Sequence, residues 1–221
     1  MKKIALVAAF CAAVVGWSDA AVAQTVSGKE AGSFMVRGRM IGVLPDESAK
    51  LALNGTGISG SAKVDNAFVP EVDFSYFITE NIALELIAAT TRHGVTARNP
   101  AGLGDQNLGS VWLLPPTLTL QYHFLPKNWI SPYVGAGINY TFFYNEKAGG
   151  GVARTVDYEN SFGWALQAGV DIQLQDRFYL NIDVKKLFLS TDVTINGPLG
   201  RITADVDLDP WIVGVGVGYR F

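Results

Sequence analysis

Hydrophobic and polar residues alternate with a period of two along eight stretches of the chain: 33–43, 67–78, 82–93, 113–124, 132–143, 161–173, 178–190 and 210–221. Such alternation predicts β-strands with one apolar face. The last stretch, PWIVGVGVGYRF, shows it most clearly. Trp211, Val213, Val215, Val217, Tyr219 and Phe221 share one parity, while Gly214, Gly216, Gly218 and Arg220 share the other. Each stretch is long enough to cross a bilayer at a tilt, which takes about 9–11 residues of strand.

The connections alternate in length. Those at 79–81, 125–131 and 174–177 are short; those at 44–66, 94–112, 144–160 and 191–209 are long and carry Gly and Asn, as in Asn54-Gly55-Thr56-Gly57, Gly149-Gly150-Gly151 and Asn196-Gly197. Tight turns at one rim and long loops at the other describe an up-and-down barrel in an outer membrane better than a sandwich. The facing of the strands agrees. Phe74, Tyr76, Leu84, Leu86, Leu118, Leu120, Trp164 and Leu166 share the apolar parity, and Thr119, Gln121, His123, Asn139, Gln167 and Asn181 the opposite one. A soluble lipocalin-type barrel has the reverse sign, with an apolar lining and a charged exterior. The predicted fold class is therefore all-β, an eight-stranded antiparallel up-and-down transmembrane β-barrel, with 44–66, 94–112, 144–160 and 191–209 as extracellular loops.

Export is written at the N-terminus. Lys2 and Lys3 precede an apolar run from Ile4 to Val15 and then Ala21-Val22-Ala23, the order of a secretory signal peptide. This predicts a signal peptide over 1–23, cleavage before Gln24, and one outer-membrane barrel domain over 24–221. Cleavage removes Cys11, the only cysteine, so no disulfide supports the mature chain. It also removes Lys2, Lys3 and Asp19, which takes the formal net charge from −3 to −4. An acidic chain without a basic patch argues against nucleic acid as a partner. No apolar run of about 18 residues follows the signal, so entry into a bilayer requires a closed barrel.

An eight-stranded barrel is wide enough only for packed side chains or one small ligand, which excludes a broad aqueous pore. Counted from the short-turn rim, Arg37, Arg39, Asp73, Glu85, Asp171 and Asp183 face inward in its lower half and, with the inward Glu71 and Lys185, predict a buried ion-pair network. Nearer the other rim the inward set carries Ile87 and Ala89, with Phe143 and Phe162 at strand ends. A charged floor below an apolar chamber suits a small hydrophobic compound.

Catalysis has little to stand on. His93 and His123 fall at opposite rims with no nucleophile placed beside either, so His123 reads as a structural histidine and the chain as no enzyme. Two scattered histidines and no mature cysteine give no metal-ligand spacing, and GVGVG lies within a strand, unlike a phosphate-binding loop. No cofactor is expected.

The segments VPEVDFSYF (69–77), NIALELIAAT (81–90), LPPTLTLQYHF (114–124), PYVGAGINYTFF (132–143) and LDPWIVGVGVGYRF (208–221) resemble the outer membrane protein W family over essentially the whole mature chain. The resemblance implies an eight-stranded outer-membrane barrel with a narrow hydrophobic channel, taking up small hydrophobic molecules, some members also serving as bacteriocin receptors. It implies an apolar constriction at the residue after the Glu85-Leu86 pair, which is Ile87. It further implies an aromatic gate at Phe162, although alternation places Phe162 on the outward parity of Trp164 and only a bulge would turn it inward. The expected function is uptake of small hydrophobic solutes through the apolar chamber, with lateral exit above the charged floor. The alternative is a surface receptor for phage, bacteriocin or host, with the barrel as anchor. Expected partners are outer-membrane lipid, small hydrophobic solutes and the barrel-insertion machinery, which would read the terminal Phe221.

Overall fold

The computed structural model describes residues 28–221, so the predicted signal peptide at 1–23 lies outside the described residues. In chain order the strands are β1 (Phe34–Leu44), β2 (Ser48–Leu53), β3 (Thr56–Ile58), β4 (Ser61–Val64), β5 (Ala67–Phe77), β6 (Ile82–Ala89), β7 (Thr91–Arg98) and β8 (Gln106–Leu114). They continue with β9 (Thr117–His123), β10 (Ile130–Ala148), β11 (Thr155–Tyr158), β12 (Ser161–Gln175), β13 (Phe178–Phe188), β14 (Ser190–Gly197), β15 (Gly200–Asp207) and β16 (Trp211–Arg220).

Eight of these, in the order β12-β13-β16-β1-β5-β6-β9-β10, are antiparallel neighbours, and β10 pairs with β12 to close the cylinder. The first and last strands meet from Met35↔Arg220 to Leu44↔Trp211, and the Phe221 N–H donates to the Phe34 carbonyl. No edge remains at that junction. The glycines on the inner face of β16 are spacers. A Cβ on Gly216 would lie 2.0 Å from the Gly38 carbonyl oxygen and 2.6 Å from Arg39 Cα, so only hydrogen fits beside the arginines of β1.

The outer surface of the cylinder is apolar. Phe34, Tyr76, Tyr122, Phe124, Trp129, Phe178 and Phe221 are exposed near the short-turn rim, and Phe68, Tyr140, Phe142, Phe162, Trp164, Phe188 and Trp211 toward the other. Leu86, Leu120, Val134, Leu166 and Val217 fill the band between them. Two aromatic belts around an aliphatic band match the bilayer with its two interfaces.

The long connections differ from the expectation of irregular loops: they carry β2 to β4, β7, β8, β11, β14 and β15. Their own alternation accounts for this. Thr91, His93, Val95 and Ala97 are buried along β7, Thr191, Val193 and Ile195 along β14, and Ile202, Ala204 and Val206 along β15. Asn54-Gly55, both with positive φ, joins β2 to β3 between the paired residues Leu53 and Thr56, as a two-residue hairpin requires. Above the cylinder the wall thus continues as two sheets. One comprises β4, β7, β8 and the upper part of β10; the other is β11-β14-β15-β2-β3. Their facing apolar residues form a hydrophobic cluster that runs down to Ile41, Ala165, Leu187 and Ile212 inside the barrel.

Candidate functional site

The interior has a charged lower half and an apolar upper half. Arg37 sits between β5 and β12: its Nη1 is 2.9 Å from Asp73 Oδ1 and 3.3 Å from Glu85 Oε1, while Nε and Nη2 form a two-point contact with Asp171 at 3.1 and 2.9 Å. Arg39, two residues on and therefore on the same face, reaches Glu71 (2.8 Å), Asp73 (2.8 Å) and Glu85 (3.3 Å). Lys185 lies 2.9 Å from Glu71 and 3.0 Å from Asp183. All eight charged residues expected in the interior network, Arg37, Arg39, Glu71, Asp73, Glu85, Asp171, Asp183 and Lys185, are buried and joined to one another. Gln167 donates to both Glu85 and Asp183, and Tyr133 donates its phenol hydrogen to Asp183 at 2.7 Å. With so many donors converging, the guanidinium groups act as cross-braces of the barrel, and the desolvation cost is met by multiple charge-assisted hydrogen bonds.

Two further members of this floor stand beyond the expected eight. Lys29 precedes β1, yet its side chain is fully buried at the short-turn end, where Nζ donates to Asp171 Oδ2, Ser131 Oγ and His123 Nδ1, each at 2.8 Å. The segment is tied down by the Lys29 N–H to the Pro126 carbonyl and by Arg220 donating to the Gly28 carbonyl. His123 accepts from Lys29 and points Nε2 at the Gln121 side-chain oxygen 3.2 Å away, so it is a satisfied structural group. Tyr133 is the other. Its ring lies over Gly169, the residue paired with it across β10 and β12, and a Cβ at Gly169 would come within 2.5 Å of the ring. An inward aromatic opposite a glycine is a readable signal, whereas nothing in the alternation marks Lys29.

Above Glu71 and Lys185 the lining becomes apolar. A cavity of about 50 Å³ is bounded by Ile41, Ile87, Ala89, Leu113, Leu187 and Ile212, with the two charged residues at its base. A second, of about 40 Å³, continues upward between the two sheets along Val95, Leu108, Phe143, Tyr158, Val193 and Val206. Val64, His93, Leu113 and Leu208 border both. At roughly 10–15 Å³ per water these spaces hold a few waters each, so a larger solute has to displace side chains. Ile87, 3% exposed, lines the lower cavity together with Ala89, and Phe143 lines the upper one.

Phe162 is a correction. It is 57% exposed, packs edge-on against Trp164 and faces outward. The β10–β12 register runs without a shift from Ile130↔Ile172 through Tyr140↔Phe162 to Thr141↔Ser161, so there is no bulge to turn it in.

The lower cavity adjoins a discontinuity in the wall. The β6–β9 ladder ends at Ile87↔Thr117 and the β7–β8 ladder starts at Thr91↔Leu113. Between them lie Pro115 and Pro116, which lack an N–H, and Ala89 and Pro115 line the cavity at this level. On the other side the Tyr140 N–H still donates to the Pro116 carbonyl.

Beyond the lipid-facing belt, His93 donates from Nδ1 to the Asp65 carbonyl and accepts at Nε2 from Thr91. Burial holds its imidazole below the ordinary range and keeps it neutral. Burial likewise raises the Glu146 carboxyl, with Asp157 adding to the rise, and raises the Tyr158 phenol.

Comparison with known proteins agrees with this architecture. The chain is 42% identical over 206 residues to the uncharacterized outer-membrane protein y4mB of Sinorhizobium fredii, covering 90% of this chain and 86% of that one. It is 36% identical over 200 residues to outer membrane protein W of Escherichia coli, covering 87% and 90%. The crystal structure of the outer membrane protein OprG from Pseudomonas aeruginosa superposes with a TM-score of 0.83 at 31% identity, over 88% of this chain and 98% of that one. The OmpW family model matches residues 30–221, so this outer-membrane β-barrel, embedded in membrane lipid, belongs to the OmpW family.

Proposed function

We propose that the protein admits small hydrophobic molecules from the cell exterior into the apolar vestibule and releases them sideways into the outer membrane. The observation that carries this reading is the apolar cavity that ends on Glu71 and Lys185 beside the wall break at Pro115 and Pro116. An apolar solute gains nothing by entering a floor of paired charges, where it would displace satisfied ion pairs. At the wall break few backbone hydrogen bonds resist its exit, and lipid waits outside.

Ile87→Arg tests the passage. A guanidinium there places charge in the apolar constriction at a cost above about 1.4 kcal/mol, so uptake of a hydrophobic substrate by intact cells should fall roughly tenfold or more at equal barrel abundance. Phe162→Ala, on the lipid face, should leave uptake at the wild-type level. Wild-type uptake by Ile87→Arg refutes the reading. The receptor alternative draws on the height of the sheets above the membrane. Because β2, β4 and β11 wall the vestibule, trimming 44–66 or 144–160 would damage both functions. Substitution of the exposed Leu199 at the β14–β15 tip is the cleaner probe: lost phage or bacteriocin sensitivity with intact uptake would favour a receptor.

A further inference from the structure

The two sheets of the vestibule meet along two boundaries, and they are built differently. At the boundary between β2–β3 and β4 the chain itself crosses through Ser59 and Gly60. Packing there is dense: a Cβ on Gly60 would lie 2.9 Å from Leu51 Cδ1 and 3.1 Å from the Arg98 carbonyl, and the Ala101 N–H donates to the Ser59 carbonyl.

The other boundary, between β10 and β11, is a slot. The β10–β12 ladder stops at Thr141↔Ser161; above that level β10 pairs with β8 and β11 with β14. In place of a ladder there are two reciprocal side-chain bonds. The Phe143 N–H donates to Asn160 Oδ1 and the Tyr158 N–H to Glu146 Oε1, both at 3.1 Å. Glu146 is aimed across the slot by an irregularity: the β10–β8 register shifts between Tyr144 and Lys147, and Asn145 adopts a left-handed φ of 50°. Behind these bonds the rings of Phe143 and Tyr158 stack at 5.6 Å with 8° between their planes, and both line the upper cavity. The slot is closed at its top by the loop of Gly149 to Gly151, anchored through the Gly149 N–H to the Leu108 carbonyl. Below it lie the exposed Tyr140, Phe142, Phe162 and Trp164 of the aromatic belt.

We propose that the β10–β11 slot is the entrance of the vestibule, with the Phe143–Tyr158 stack as its door and the Glu146 and Asn160 bonds as its latch. Parting the strands here breaks two side-chain bonds, whereas parting neighbouring strands within either sheet of the vestibule breaks a backbone ladder. The stacked rings separate to give an apolar opening that leads straight into the cavity they line. The slot lies above the aromatic belt, so a solute arriving from the cell exterior reaches it without first entering the lipid. This rests on the proposed passage and assigns its mouth.

The test uses the absence of cysteine from 24–221. In a Glu146→Cys/Tyr158→Cys variant, a short thiol-specific cross-linker cleavable by reductant should bridge the slot. Uptake of labelled naphthalene by intact cells should then fall roughly fivefold or more and recover on reduction, with no effect of the reagent on cells carrying the wild-type chain. Complete cross-linking with unchanged uptake, while Ile87→Arg still blocks, overturns the entrance and leaves the passage standing. Unchanged uptake in Ile87→Arg overturns both. Should the double variant fail to assemble, Asn160→Ala carries the test: loss of one latch bond raises the uptake rate roughly two- to threefold at equal abundance, and an unchanged or lower rate refutes the proposal.

Discussion

Lys29→Met removes the cation that seals the short-turn end while keeping a side chain of similar length and apolar stem. In the native protein its Nζ is fully buried, makes three contacts of 2.8 Å and lies 5.8 and 5.9 Å from the ring centres of Phe77 and Tyr179. No solvent replaces it cheaply. The network comprises four cations, Lys29, Arg37, Arg39 and Lys185, against five carboxylates, Glu71, Asp73, Glu85, Asp171 and Asp183. Losing one cation leaves three against five, with Asp171 held by Arg37 alone among the cations. Breaking a buried pair from one side costs about 3–5 kcal/mol, or roughly two to three and a half orders of magnitude in the folding equilibrium. Adding Asp171→Asn restores the native excess of one carboxylate, so the double variant should be more stable than the sum of the two single losses by about 0.5–3 kcal/mol. Denaturant titration of the purified barrel in lipid vesicles, followed by tryptophan fluorescence, measures all four proteins. A Lys29→Met barrel within about 1 kcal/mol of wild type, or strict additivity with Asp171→Asn, would refute the view that this ion pair closes the barrel.

Gly216→Val places carbon 2.0 Å from the Gly38 carbonyl oxygen, on the backbone of the neighbouring strand, and should abolish assembly; folded barrel at wild-type abundance, read by heat-dependent gel mobility, would contradict it. His93 supplies a pH dependence. Burial depresses its folded pKa, so the unfolded segment takes up the proton first and stability present above about pH 6.5 is lost as pH falls below it. Protection factors of the β7 and β8 amides, corrected for the intrinsic pH dependence of exchange, should therefore fall between pH 7.5 and pH 5.5, and His93→Gln should flatten that fall. An equal fall in His93→Gln would sink the assignment.

The barrel was legible because lipid imposes its sign on every residue of every crossing. Leu118, Leu120 and Tyr122 on one parity, with Thr119, Gln121 and His123 on the other, leave one arrangement that buries polar groups and greases the outside. The eight charges of the floor follow from the same parity. The vestibule was harder to read because both sides of its sheets meet water or each other, so Thr91, His93 and Thr191 stand at buried positions where a strand in lipid would be uniformly apolar outside. Lys29 was illegible for a different reason. It lies outside any strand, and its burial is decided by Asp171 and Ser131, more than a hundred residues away in sequence. Phe162 shows the opposite case, where simple alternation describes the structure and the resemblance does not.

The Lys29 seal also orders events in time. Its partners sit on β9, β10 and β12, and the contact with Asp171 spans 142 residues of chain. No portion of the sheet short of β12 presents all of them, and until β16 meets β1 the N-terminal segment has no cylinder to plug. Non-local contacts of this kind are entropically expensive to form early. Burial of Lys29 is thus a completion step, a lock that can engage only in a barrel whose last strand has already found its first.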